Sequence, residues 1–166
     1  MKLHSTSKPK RLGGFAMLIA CCAVLLCPAP VSSGGWAADT LSNDNASDLL
    51  DQIVPNGSVE SIRSALDAAL SPVSTIGDET ASRALAAAEL VAAMMGNPAA
   101  HLPAPSRKWA ALHSIDANRD LIDSAVRAVD RILKDSGAQE LMREGGAKNL
   151  RDWQVSVTNL QARLSR

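Results

Sequence analysis

The chain has 166 residues, a formal net charge of zero and 46% hydrophobic residues, but no tyrosine and only Phe15, Trp36, Trp109 and Trp153 as aromatics. That length holds one domain plus a targeting segment, and a composition led by alanine and leucine favours helix over sheet. Lys2, Lys8, Lys10 and Arg11 crowd the first eleven residues, and without them 13 basic side chains face 17 acidic ones, so nothing electrostatic points to nucleic acid as a partner.

Residues 1–11 are basic, 13–27 are apolar, and 28–38 are small residues with Pro28 and Pro30. This three-part order is that of a secretory signal peptide, with cleavage after Ser33 or after Ala37 or Ala38. The apolar run is shorter than the roughly 20 residues a spanning helix needs. Leu18-Ile19-Ala20-Cys21 is the pattern of a lipidation site, but a cut there leaves Ala23-Val24-Leu25-Leu26 on the mature chain. An exported protein, periplasmic or extracellular, is therefore expected, with membrane anchoring only if the leader stays or Cys21 is lipidated. Cys21, Cys22 and Cys27 all leave with the leader, so residues 34–166 carry no disulfide, thiolate metal site or cysteine nucleophile.

A first helix is predicted to start at the Asn43 cap and run through Ala46, Leu49, Leu50 and Ile53 to the Pro55-Asn56-Gly57 turn. Ser58 is expected to cap a second helix with the stripe Val59, Ile62, Leu66, Ala69 and Leu70, ended by Pro72. Residues 79–96 then read as a central helix capped by Asp78. From Ala84 to Gly96 it is apolar on nearly every side, with Glu89 as its one ionisable group, which places it in the middle of a bundle. Gly96-Asn97-Pro98 ends it.

Prolines 98, 103 and 105 make Ala99–Arg107 a predicted crossover loop, followed by a helical turn from Trp109 to His113. Leu121, Ile122, Ala125, Val126, Val129, Ile132 and Leu133 recur at three- and four-residue steps, the clearest helix in the chain. Asp123 with Arg127, and Asp130 with Lys134, are spaced as i,i+4 pairs on its outer face. Ser136 and Gln139 fit a capping box for a short helix ending at Gly145-Gly146. The last helix carries Trp153, Val157, Leu160 and Leu164. The expected fold is all-α, a single bundle of five to seven helices, with residues 1–33 as signal peptide and 34–166 as the domain.

Gly35-Trp36, Asn43-Asp44-Asn45-Ala46-Ser47-Asp48, Ala86-Ala87-Ala88-Glu89 ending at Gly96, Leu102-Pro103 and Leu160-Gln161-Ala162-Arg163-Leu164 occur in an order that resembles the bacterial domain-of-unknown-function family 4259. The resemblance covers residues 34 to 164 and implies a small all-helical domain with no established biochemical role. It departs from the family in the leader before Gly35, in Ala37, Ala38 and Leu41 where a glycine and an aromatic are usual, and in Met142 where a tryptophan is common.

Glu89 is the sharpest candidate for chemistry. A buried carboxylate must be paired, hydrogen-bonded or protonated, since leaving it alone costs several kcal/mol. It is either a proton-transfer or metal-binding group, or the anchor of a structural pair with Arg163, a tryptophan N–H, or backbone near Asn43 and Asp44. The candidate cluster is Glu89, Asn43, Asp44, Asp48, Trp36, Trp153 and Arg163. His101 and His113 fit no compact zinc spacing, and no Glu-x-x-His pair is present. Met94-Met95 point about 100° apart on a helix, which suits core filling better than Cu(I).

With no nucleophile elbow, phosphate loop or ligand cluster, the expectation is a non-enzymatic helical bundle without cofactor or metal, working through an unknown protein partner. An immunity-type or inhibitor protein and a carboxylate-centred metal-binding bundle are the alternatives.

Overall fold

A computed structural model describes residues 39–72 and 75–166, all within one compact unit, Ser33–Arg166. The leader, its cleavage positions and Trp36 lie outside the described residues. Among the described residues seven α-helices form a single bundle: α1 (Asp44–Asn56), α2 (Val59–Leu70), α3 (Asp78–Met94), α4 (Ala104–Leu112), α5 (Arg119–Lys134), α6 (Gly137–Glu144) and α7 (Ala147–Leu164). Among the described residues there is no strand, and the one β-bridge joins Ile76 to Ser136. No helix of the described residues is long and apolar enough to cross a membrane.

The all-round apolar character of α3 has a direct structural counterpart. Every residue from Ala84 to Met94 is buried, and α3 packs against each of the other six helices. The alanines make this possible, because a side chain of one carbon lets neighbouring helices approach on all sides while still removing apolar surface from water. Leu85, Leu90, Val91 and Met94 supply the larger volumes, each burial stabilising by about 1.5–3 kcal/mol.

α3 ends two residues earlier than the predicted 96. Gly96 has φ +87°, its N–H donates to the Ala93 carbonyl at 3.0 Å, and the Asn97 N–H reaches back to Ala92 at 2.8 Å. These two bonds satisfy the last carbonyls of the helix in a Schellman arrangement. A Cβ on Gly96 would meet nothing within 4 Å. Gly96→Ala is therefore expected to cost about 1–2 kcal/mol through backbone conformation alone, read as a shift in the urea midpoint without a change in slope.

At its other end the residue in the N-cap position is Gly77, and Asp78 is the first helical residue, where its charge still faces the helix dipole. Ser58 occupies the N-cap position of α2, but its side chain makes no capping bond. At α1 the prediction holds, with Asn43 Oδ1 accepting from the Ala46 N–H at 2.9 Å.

The largest correction concerns 99–107. α4 starts at Ala104, with Pro103 in the N-cap position and Pro105 inside the first turn. Proline is tolerated there because the first N–H groups of a helix have no intrahelical acceptor, so prolines read as loop signals open the helix.

On α5, Leu121, Ala125, Val129 and Ile132 are buried and Ile122, Val126 and Leu133 pack partly against the core. The two predicted i,i+4 ion pairs give way to other partners. Arg127 donates to the Ser124 hydroxyl at 3.3 Å, and Asp130 accepts from Gln161 of α7. The first of these partners is local, three residues back on α5, and the second is tertiary; either suffices to replace pairs worth only about a few tenths of a kcal/mol. Arg131 extends to the carbonyls of Ala69 and Ser71, satisfying the end of α2.

Half of the expected capping box forms at α6. Ser136 Oγ accepts from the Gln139 N–H at 3.2 Å, but the Gln139 side chain donates to the Leu133 carbonyl at 2.9 Å instead of returning to Ser136. A tight approach explains the glycine that follows: Gly137 N–H donates to the Ile76 carbonyl at 2.6 Å, and a Cβ there would lie 2.9 Å from the Asp78 nitrogen. In α7, Trp153, Val157, Leu160 and Leu164 are all buried, as their spacing predicts.

Candidate functional site

The burial of α3 places Glu89 in the core at 1% exposure. One of its oxygens, Oε1, takes two donors: the Thr40 hydroxyl at 2.6 Å and Arg163 Nη2 at 2.7 Å. Arg163 is the partner named from sequence, whereas among the described residues neither a tryptophan N–H nor the backbone at Asn43-Asp44 is hydrogen-bonded to Glu89. Arg163 is itself positioned by an exchange with the loop after α3. Its Nη1 donates to the Asn97 carbonyl at 3.2 Å, and the Asn97 amide donates to the Arg163 carbonyl at 3.1 Å. The Schellman cap of α3 thereby presents Asn97 to the end of α7.

The second carboxylate oxygen, Glu89 Oε2, is buried and has no hydrogen-bond partner among the described residues. Glu89 nonetheless forms part of the wall of a pocket of about 350 Å³, together with Thr40, His101, Asn159, Arg163 and Arg166. Next to it, His101 Nε2 lies 3.7 Å from Asp39 Oδ1. Asp39 also accepts the N–H groups of Leu41 and Ser42 at 2.7 Å each and the Ser42 hydroxyl at 2.5 Å, which ties down the stretch carrying Thr40.

Burial pushes the Asp39 carboxyl up. The hydrogen bonds from Ser42 and Leu41, with His101 beside them, more than offset this and hold it below its ordinary 3.8. A lowered folded-state value means a stabilising contribution that is present above about pH 4 and disappears as the pH falls through the depressed value. Asp39→Asn is accordingly expected to lower Tm by a few degrees at pH 7, with the gap to the wild type narrowing as the pH is lowered below about 4, compared by thermal melts across that range.

The other described members of the predicted cluster, Asn43, Asp44, Asp48 and Trp153, are not part of the pocket wall. Asp44 and Asp48 are exposed on α1, and Asn43 serves its cap, its Nδ2 buried without a partner. Trp153 is fully buried and its Nε1 meets no acceptor. Trp36 is outside the described residues. Thr40, Asp39 and Arg166 carry no sequence signal as site members. Thr40 sits in the Gly35–Asp48 stretch, but a single hydroxyl there carries no sequence signal of what it will touch. Among the described residues no group of three or more histidine, cysteine or acidic side chains could hold a metal ion.

Three other pockets among the described residues have no buried ionisable group in their walls. One of about 360 Å³ between α1 and α2 is lined by Leu49, Gln52, Glu60 and Arg83, with Arg83 donating to Gln52 at 3.2 Å.

The family model described as "Domain of unknown function (DUF4259)" matches residues 34–156, about three quarters of the chain. The chain belongs to the DUF4259 family. No curated protein and no solved structure matches it. The matched segment carries Thr40, Glu89 and His101 but ends within α7, before Arg163 and Arg166. In this DUF4259 chain the acidic half of the buried pair is thus inside the matched segment and the basic half beyond it.

Proposed function

We propose that this DUF4259 protein is an exported, non-enzymatic helical domain that acts by contact with another protein. The basic, apolar and small-residue order of residues 1–38 supports export. The contact is carried by one observation. Leu112, 73% exposed at the end of α4, and Ile115, 92% exposed in the 3-10 turn Ser114–Asp116, stand on one short corner of the molecule. Large apolar side chains held in water on a rigid corner favour a partner that covers them. The corner is held by local order, since His113 between them stacks on Trp109 at 4.0 Å between ring centroids and its Nδ1–H donates to the Trp109 carbonyl at 2.8 Å.

The test is in-cell photocrosslinking from position 115, with envelope fractions analysed by mass spectrometry. A specific adduct that disappears in Leu112→Asp, while circular dichroism stays native, supports the reading. Absence of any specific adduct, or an adduct indifferent to Leu112→Asp, overturns it. Mass spectrometry of the mature N-terminus tests export separately, and an intact Met1 in the cytoplasm rejects it.

A further inference from the structure

The stretch that exposes Leu112 and Ile115 also carries one charge of each sign. Lys108 lies one turn before Leu112 on the same face of α4, because side chains four residues apart on a helix are neighbours. Asp116 follows Ile115 in the 3-10 turn, which is closed by the Asp116 N–H donating to the His113 carbonyl at 2.9 Å. Both charged residues are exposed, and neither side chain is in an ion pair among the described residues. Along the corner the order is therefore cation, two large apolar side chains, anion. Ala111, exposed, and Ala117, half-buried, border the two apolar side chains with only a methyl each, which leaves low relief beside them.

We propose that the partner covering this corner is a second copy of this chain, docked about a twofold axis. The inference rests on the reading of the corner as a contact surface and names its occupant. A twofold contact sets the same patch against itself, so a residue at one end of the patch faces the residue at the other end on the second copy. Reversed against itself, the order along the corner places Lys108 of each copy by Asp116 of the other, and Leu112 by Ile115. A partner rimmed by a single sign of charge would instead repel either Lys108 or Asp116. The attraction comes from the apolar side chains, 73% and 92% exposed, leaving water, while the solvated charges mainly penalise wrong pairing and fix the direction of docking. So short a patch presents far fewer residues than the roughly 20–30 a side of a stable interface, which makes the association weak and reversible.

The test is sedimentation equilibrium of the purified protein from about micromolar to about millimolar concentration, where a reversible monomer–dimer equilibrium is expected. Ile115→Asp, at a 92% exposed position, is expected to weaken the dimer by about a hundredfold or more while circular dichroism and Tm stay native. Lys108→Asp and Asp116→Lys each set like charges opposite one another, and each is expected to weaken self-association about tenfold. An equimolar mixture of these two variants is expected to associate at about wild-type strength, because in the mixed dimer both positions again face an opposite charge. A protein that stays monomeric at every concentration overturns the proposal. So does a dimer indifferent to Ile115→Asp, or a mixture that associates no better than either variant alone. Monomeric protein together with a specific cellular adduct from position 115 to a different polypeptide removes the second copy and leaves the corner as a contact surface, so the two readings fail separately.

Discussion

Arg163→Met is expected to destabilise the protein by about 3 kcal/mol, measured by urea unfolding at pH 7. Glu89 is 1% exposed and takes its one cationic donor from Arg163 Nη2 at 2.7 Å, so the substitution strands a carboxylate in the core. Breaking a buried pair from one side typically costs about 3–5 kcal/mol, and the lower end applies because the Arg163 side chain keeps 17% exposure. The loss also releases the Asn97 carbonyl, which Arg163 Nη1 holds at 3.2 Å. Combining Arg163→Met with Glu89→Gln should restore much of the stability, because the neutral amide no longer needs a counter-charge. Equal losses in the single and double variants would show that Arg163 acts through packing of its stem instead.

Trp153→Ala is expected to cost about 3–5 kcal/mol, while Trp153→Phe costs under about 1.5 kcal/mol. Trp153 is fully buried on α7, and truncating it to alanine leaves a void that helices already in contact cannot close. Its Nε1, however, is buried without an acceptor. Phenylalanine keeps most of the ring volume and removes that N–H, whose desolvation costs about 1–3 kcal/mol, so the two effects of the smaller ring partly cancel. Parallel urea titrations of both variants check the pair of values. A phenylalanine variant as unstable as the alanine one would show that the indole N–H has a partner of consequence.

Helix content and order were legible because they rest on periodicity. The stripe on α5 and the Trp153–Leu164 spacing on α7 needed no tertiary information. Glu89 stood out for the same reason, as a lone charge inside an apolar run. Its partner Arg163 followed from what a buried carboxylate needs, although 74 residues separate them. Thr40 and Asp39 were hidden because each is an ordinary loop residue whose role comes only from the position of the backbone. The start of α4 was misread because Pro103 and Pro105 signal a loop in isolation but suit the first turn of a helix. Ser58 shows the opposite error, a residue in the capping position whose hydroxyl makes no capping bond.

The contact of α3 with all six other helices bears on how the molecule opens to solvent. Helices at the edge of a bundle can fray or detach in sub-global steps, and their amides then exchange with deuterium at free energies below that of complete unfolding. No such partial route exists for Ala84–Met94, because removing any one neighbour leaves five still covering the helix. These amides should exchange only when the entire fold comes apart, and their protection should measure the global unfolding free energy. The alanine-rich axis is thereby the last part of the bundle to open, while the amides of a small helix such as α6 are expected to exchange at lower free energies.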